Sequence, residues 1–174
     1  FGKKNDVLKG VNLQVEKGEN LVVLGKSGSG KSITIKCLVG LVSADKGNIK
    51  VFDTDIATLD SKQLNELRLR IGFLFQNSAL YDSMSVRKNL EFPLRRHSKQ
   101  LSSNEVEELI IETLESVGLA EAIDKMPSEL SGGMCKRIGL ARTLILKPEI
   151  ILYDEPTTGL DTITSREISE LILA

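Results

Sequence analysis

The segment VVLGKSGSGKSITIK, residues 22–36, places glycines, serines and a lysine between an apolar run and a helix-like run. Its central eight residues fit the phosphate-loop pattern G-x-x-x-x-G-K-[ST] without a gap. In such a loop, glycines let backbone N–H groups converge on anionic oxygens, and the following helix presents its positive end to them. A flexible Gly/Ser turn that fits by chance is the alternative. We expect nucleotide phosphates to contact Gly25, Lys26, Ser27, Gly28, Ser29, Gly30, Lys31 and Ser32.

Side chains at two places in the chain are suited to the chemistry of phosphate groups. Lys31 supplies positive charge for the β- and γ-phosphates, and the Ser32 hydroxyl is a ligand for Mg²⁺. Asp154 and Glu155 follow the apolar run IILY, and adjacent carboxylates at the end of a buried strand are costly unless they act on a cation or a water. We expect Asp154 to hold Mg²⁺, mostly through water, and Glu155 to act as general base. A polar turn after a strand is the alternative.

A second helix start with small residues lies in the segment SGGMCKRIGLARTLIL, residues 131–146. Ser131 is a suitable N-cap, and Gly132 and Gly133 leave the backbone N–H groups of the first turn open to an anion. Taken alone, a Ser-Gly-Gly sequence before a helix is a weak signal.

Strand-like and helix-like segments alternate at both ends of the chain. Strands are predicted in VLKGVNLQVEKG, NLVVLG, GNIKVFDTDI, IGFLFQ and EIILYDEP. Helices are predicted over residues 31–42 and 59–70, from a capping box formed by Ser102 and Glu105 to a stop at Gly118, and over residues 131–146. This alternation predicts a parallel α/β core with a helical insertion.

Composition and charge narrow the class of protein. The chain has 174 residues, of which 41% are hydrophobic, so a folded domain is expected rather than disorder. A formal net charge of -1 argues against nucleic acid as a partner. No apolar run is long enough to span a bilayer. The two cysteines are far apart in the chain, which favours reduced thiols over a disulfide or metal site.

The order of these motifs resembles the ABC-type ATPases: an aromatic residue, the phosphate loop, a glutamine, L-S-G-G, the acidic strand and G-L-D. The resemblance covers essentially the whole chain and implies a RecA-like P-loop core, a small antiparallel β subdomain near the N-terminus and a helical subdomain over about residues 76–131. It implies a single nucleotide-binding domain over residues 1–174 that binds ATP and Mg²⁺ and hydrolyses ATP.

The resemblance also implies roles for individual residues. Phe1 would stack on adenine, with a frayed end as the alternative. Gln76 would contact Mg²⁺ and the attacking water and couple the site to membrane subunits. The residues implied to contact ATP across a head-to-tail dimer are Ser131, Gly132, Gly133 and Asp161.

Residues 72–97, GFLFQNSALYDSMSVRKNLEFPLRRH, resemble the Mla/Mce-type lipid transporters within this family. This implies integral-membrane permease subunits, an Mce-type lipid-binding partner and a position on the cytoplasmic face of the inner membrane. Generic helical packing shared by many importers is one alternative for this stretch. ABC ATPases of lipoprotein release or methionine import, and soluble ABC ATPases without a permease, are the alternatives for function.

The ends of the chain suggest a piece of a longer protein, since it begins at Phe1 and stops at Ala174 inside an apolar-periodic run. In the family, a switch histidine follows the acidic strand by about three dozen residues, beyond Ala174. The chain's single histidine, His97, is interpreted as a solvated residue beside Arg95 and Arg96 rather than as this switch.

Overall fold

The computed structural model describes residues 6–173, which divide into two units, residues 6–66 and residues 67–173. In the first unit, helix α1 spans Lys31–Leu38. An antiparallel pair of short strands follows, β1 (Lys50–Val51) and β2 (Thr54–Asp55), and then a 3-10 turn at Ile56–Thr58. Helix α2 spans Ser61–Leu69 and so crosses the boundary between the two units at residue 66.

Residues 7–25 form no strand, so both strands predicted there are wrong. Their backbone makes turn contacts, such as the bond from the Glu19 N–H to the Glu16 carbonyl at 3.0 Å. Val22 and Leu24 are 75% and 88% exposed. A strand takes its backbone hydrogen bonds from a neighbouring strand, and an apolar composition alone does not supply one. The predicted small antiparallel β part is confirmed by the pairing of β1 with β2, at residues 50–55.

The second unit is built on two parallel strands, β3 (Ile71–Leu74) and β4 (Ile150–Tyr153). They pair in register from Ile71 opposite Ile150 to Leu74 opposite Tyr153. Four helices accompany them: α3 (Val86–His97), α4 (Ser103–Ser116), α5 (Gly132–Leu144) and α6 (Thr162–Leu173). Short 3-10 turns lie at Ala120–Ala122 and Pro127–Glu129. The parallel pair confirms the predicted α/β class.

The core of the second unit joins α3, α4 and α5 to β3. Its side chains at most 1% exposed include Leu74, Leu90, Leu94, Ile110, Leu114 and Ile138. At the surface, Arg87 of α3 forms an ion pair with Glu107 of α4 and another with Asp124 at 3.1 Å. The core and these ion pairs fix the helices around β3, from which the segment containing Gln76 leaves.

The predicted capping box of α4 is confirmed. The Ser102 Oγ accepts a hydrogen bond from the Glu105 N–H at 3.3 Å, and the Glu105 carboxylate accepts one from the Ser102 N–H at 2.7 Å. Hydrogen bonding of the Glu105 carboxylate, first with the Ser102 side chain and then with the Ser102 N–H, holds the pKa of Glu105 below its usual range. At the other end of α4, Gly118 has φ +67°, a left-handed conformation that ends the helix as predicted.

We expect Ser102→Ala to lower the free energy of unfolding by about 1 kcal/mol, because the first turn of α4 loses its cap. Urea unfolding followed by circular dichroism measures this change. Ser128→Ala is the matched control, since Ser128 is exposed and is not the N-cap of its 3-10 turn, which is Met126. Equal stability of the two variants would contradict a stabilising role for the capping box.

Candidate nucleotide-binding site

The phosphate loop leads directly into α1 in the first unit. Gly28 and Gly30 have φ +78° and +100°, which glycine adopts without strain. A Cβ on Gly25 would lie 2.7 Å from the Ser29 Oγ, and one on Gly30 would lie 2.7 Å from the Leu8 side chain. The left-handed conformation favours glycine at position 30, and an added Cβ at position 25 would force the Ser29 hydroxyl to move.

The side chain of Lys31 folds back over its own loop. Its Nζ donates to the carbonyl oxygens of Gly25 at 3.0 Å and Lys26 at 3.3 Å. The ammonium group therefore lies beside the carbonyl oxygens of its own loop. Ser32 follows in the first turn of α1 and is half-buried. This arrangement concentrates positive charge where a phosphate chain would lie.

The carboxylate pair and Gln76 lie in the second unit, beyond the carboxyl ends of β4 and β3. Because these strands are parallel and adjacent, the residues that follow them leave the same edge. The Gln76 Nε2 lies 3.4 Å from the Glu155 Oε2, which also accepts a hydrogen bond from the Thr158 Oγ at 3.2 Å. Residues separated by 79 positions in the sequence are therefore in contact.

Asp154 and Glu155 have different environments. Asp154 is only 7% exposed, and its N–H donates to the Leu74 carbonyl at 3.0 Å, which extends the β3–β4 pairing by one residue. Glu155 is half-buried and has φ +48°, a strained conformation for a residue with a side chain. Strain of this kind is frequent at functional sites, because surrounding contacts must hold it. The contacts of Glu155 to Gln76 and Thr158 hold its carboxylate at the edge.

The start of α5 matches the prediction for a capped helix with small residues. The Ser131 Oγ accepts a hydrogen bond from the Met134 N–H at 3.2 Å. Gly132 and Gly133 form the first turn, and a Cβ on Gly133 would lie 2.5 Å from the Thr164 Cγ2 of α6. Small residues are therefore needed here for α5 and α6 to approach.

Asp161 has a local role in the structure as the N-cap of α6. Its Oδ1 accepts from the N–H groups of Ile163 at 3.0 Å and Thr164 at 3.1 Å, and its Oδ2 accepts from the Thr164 hydroxyl at 2.6 Å. These bonds, the one from the Thr164 hydroxyl first, hold the pKa of Asp161 below its usual range. A contact of Asp161 with nucleotide stays a prediction.

Two cations of α5, the buried Lys136 and the half-buried Arg142, were not singled out from the sequence. The Lys136 Nζ donates to the Gln76 carbonyl oxygen, and an Arg142 guanidinium N–H donates to the Ser78 carbonyl at 3.1 Å. Burial lowers the pKa of both groups. The segment GGMCKRIGLARTL of α5 contains basic residues and no acidic one, so neither cation has a carboxylate one turn away. The lack of acidic residues in this segment is the sequence signal that could have pointed to long-range partners for the two cations.

The remaining predicted residues are distributed as follows. Phe1 lies outside the described residues. Ser32 belongs to the first unit, and Gln76 and Asp154 belong to the second. Their donor atoms are a hydroxyl, an amide oxygen and a carboxylate, which is the oxygen chemistry that Mg²⁺ prefers. His97 is exposed at the end of α3. Partial desolvation of its ring, and then the positive charge of Arg96, hold the pKa of His97 below its usual range.

A phosphate loop before a helix, two carboxylates beyond a parallel strand and a glycine-rich helix start together define an ATP-binding cassette. The family model described as ABC transporter matches residues 8–158, and the chain belongs to this family of ABC ATPases.

Several curated proteins are similar to the chain. Protein TRIGALACTOSYLDIACYLGLYCEROL 3 of Arabidopsis thaliana is 46% identical over 99% of this chain and 51% of its own length. The probable ribonucleotide transport ATP-binding protein mkl of Mycobacterium leprae is 45% identical over 99% of this chain and 49% of its own length. The intermembrane phospholipid transport system ATP-binding protein MlaF of Haemophilus influenzae is 42% identical over 93% of this chain and 61% of its own length. The methionine import ATP-binding protein MetN of Campylobacter jejuni is 39% identical over 99% of this chain and 55% of its own length.

Two solved structures of ABC proteins resemble this chain. The dimeric cassette MJ0796, described in a post-hydrolysis state with ADP and Pi, has a TM-score of 0.86 and 33% identity, over 95% of this chain and 73% of that one. The structure of cbiO1 from Clostridium perfringens, part of an ABC transporter complex, has a TM-score of 0.87 and 30% identity, over 96% of this chain and 66% of that one.

The chain spans about half the length of the first curated relatives it matches, 49% and 51%. Within residues 6–173, no helix combines the length and apolar character needed to cross a bilayer.

Proposed function

We propose that this chain is the ATP-binding and ATP-hydrolysing motor domain of an ABC transporter. The observation that carries the proposal is the contact between Gln76 and Glu155 at 3.4 Å, since it places an amide donor against a carboxylate at one strand edge. In a family of ATP-binding cassettes, such a pair is suited to hold and deprotonate a water. We also propose that residues 1–174 form one nucleotide-binding domain, in which α3 and α4 belong to a helical subdomain over about residues 76–131.

The first part of the mechanism is binding of ATP by the phosphate loop. Its N–H groups and the Lys31 ammonium, which lies 3.0 Å from the Gly25 carbonyl, bind the β- and γ-phosphates. Ser32, Gln76 and Asp154 are the residues that would hold Mg²⁺, which would neutralise charge on the phosphate oxygens.

The second part is hydrolysis. The Gln76 amide orients a water beside Glu155, and the Glu155 carboxylate accepts a proton as the water oxygen bonds to the γ-phosphorus. The bond from that phosphorus to the β–γ bridging oxygen breaks, which leaves ADP and phosphate. The proton on Glu155 then passes to a phosphate oxygen. Lys31 stabilises the charge that develops in the transition state.

The third part requires a second copy of the domain. Ser131, Gly132 and Gly133 at the start of α5 bind the γ-phosphate of ATP held by the other copy, and Asp161 lies at the interface between the copies. The dimeric state described for MJ0796 supports this arrangement. Because the closed dimer binds ATP more tightly than ADP, hydrolysis reopens it and drives the permease through Gln76.

For the transported molecule we propose phospholipid or another hydrophobic solute, moved at the cytoplasmic face of the inner membrane with an Mce-type partner. The names of MlaF and of the Arabidopsis relative, which refer to lipids, support this class. The name of mkl supports a nucleotide instead, and that of MetN supports methionine import.

Capture of the complete protein from detergent-solubilised native membranes tests the transport proposal. Mass spectrometry of the bound material should find integral-membrane permease subunits, an Mce-type protein and enriched phospholipid. Capture of a methionine-binding protein instead would contradict lipid transport and support methionine import. Capture of ribosomes or DNA, with no integral membrane protein, would overturn transport and leave the ATPase chemistry standing.

A further inference from the structure

We propose that Lys136 is a positioning residue: it ties helix α5 to the backbone of Gln76 and so controls where the Gln76 amide meets Glu155. This inference rests on the proposed function, because it concerns how the hydrolysis site is assembled. It assigns to α5 a role within its own copy, in addition to the proposed contact with ATP of the second copy.

The contact of Lys136 is unusual for a lysine. Its side chain is 6% exposed, and its Nζ donates to the Gln76 carbonyl oxygen. Lysine is rarely buried without a partner, because removing an ammonium from water is costly. The Gln76 carbonyl is a neutral acceptor 60 positions away in the sequence. Because burial of the Lys136 ammonium is costly, we interpret its bond to the Gln76 carbonyl as a means of fixing the backbone at residue 76.

Two further contacts of α5 hold the same segment. The Arg142 guanidinium donates to the Ser78 carbonyl at 3.1 Å. Between the two cations, Gly139 lets the helix approach so closely that an added Cβ would lie 2.9 Å from the Ser78 Cβ. Ser78 and Ala79 have φ +57° and +50°, so the turn after Gln76 is strained and needs these contacts to persist.

The path from the start of α5 to Glu155 is short. Lys136 lies four residues after Gly132, which is about 6 Å at the rise of an α-helix. Its Nζ contacts the Gln76 backbone, and the Gln76 side chain contacts the Glu155 carboxylate at 3.4 Å. A displacement at Gly132 therefore reaches Gln76 through one turn of helix and one hydrogen bond, which is a contiguous physical link.

The test is Lys136→Met in the complete protein, which keeps side-chain length and removes the donor. We expect kcat for ATP hydrolysis to fall about 10-fold, while KM for ATP changes less than about 2-fold, since misplacing a catalytic group acts on the chemical step. Lys136→Arg should restore most of the turnover. Lys99→Met is the matched control, because Lys99 is exposed after α3, and it should behave as wild type. If the methionine variant does not fold, Lys136→Gln, with a shorter side chain, replaces it.

Two more readouts separate positioning from general stability. In a Gln76→Ala background, Lys136→Met should lower kcat less than about 2-fold, because both substitutions remove the same function. Hydrogen exchange of the amides at residues 77–79 should accelerate about 10-fold in Lys136→Met and stay unchanged in Lys99→Met.

The outcomes distinguish this inference from the proposed function. An active wild type whose Lys136→Met variant keeps its kcat, or keeps its exchange rates at residues 77–79, overturns the inference alone. Equal loss of kcat from Lys136→Met with and without Gln76 also overturns it, since the lysine would then act elsewhere. A wild-type protein without ATPase activity overturns both.

Discussion

Glu155→Gln is expected to lower kcat for ATP hydrolysis by at least about 100-fold, within the range that general-base catalysis contributes. The Glu155 carboxylate accepts hydrogen bonds from Gln76 at 3.4 Å and Thr158 at 3.2 Å, so it is held at the strand edge. Glutamine has the same shape but cannot take a proton from water. Because the phosphate loop is unchanged, the Kd for ATP should stay within about 3-fold of wild type. Phosphate release measures turnover, and isothermal titration measures the Kd.

The matched control for this substitution is Glu170→Gln. Glu170 forms an exposed i,i+4 ion pair with Arg166 at 2.9 Å, which contributes little to stability. Its turnover should equal that of wild type. If Glu155→Gln kept more than about a tenth of the wild-type kcat, Glu155 would not be the general base, and the water would be activated by another group.

Lys31→Ala is expected to weaken ATP binding by about 10-fold to 100-fold. A hydrogen bond to a charged group is worth about 1.5–3 kcal/mol, and this substitution removes such a bond to the phosphates. In the structure the Lys31 Nζ lies 3.0 Å and 3.3 Å from two carbonyl oxygens of the loop, so its charge is already in place. Titration of each variant with ATP gives the ratio of Kd values.

Lys46→Ala is the control for Lys31, since Lys46 is an exposed lysine of the same unit. It tests whether loss of any positive charge near the loop weakens binding. An unchanged Kd for ATP in Lys31→Ala would contradict the assignment of residues 25–32 as the phosphate site. Equal weakening by both substitutions would reduce the role of Lys31 to long-range electrostatics.

Local signals predicted much of the structure, because their physical causes are local. The capping box at Ser102 and Glu105 and the left-handed Gly118 depend on a few neighbouring residues, and the structure contains both. The phosphate loop likewise depends on its own glycines and the helix after it. The strands predicted over residues 7–25 are absent from the structure, since strand formation depends on pairing that apolar composition does not specify.

The contacts around Gln76 show what the sequence did not reveal. Gln76 was assigned through the family resemblance, but its link to Lys136 joins residues 60 positions apart. The close approach at Gly139 depends on how α5 packs against Ser78. Such contacts follow from the parallel pairing of β3 with β4 and the burial of α5, and neither can be derived from a short motif.

The measurement that tests the central claim most directly is the molar mass of the Glu155→Gln protein with and without ATP and Mg²⁺, by size-exclusion chromatography with light scattering. The account predicts a monomer without nucleotide and a dimer with ATP, because each site needs the start of α5 from the other copy. Adding Ser131→Arg should abolish the dimer. A protein that stays monomeric with ATP bound, and whose wild type hydrolyses ATP as a monomer, would contradict the account.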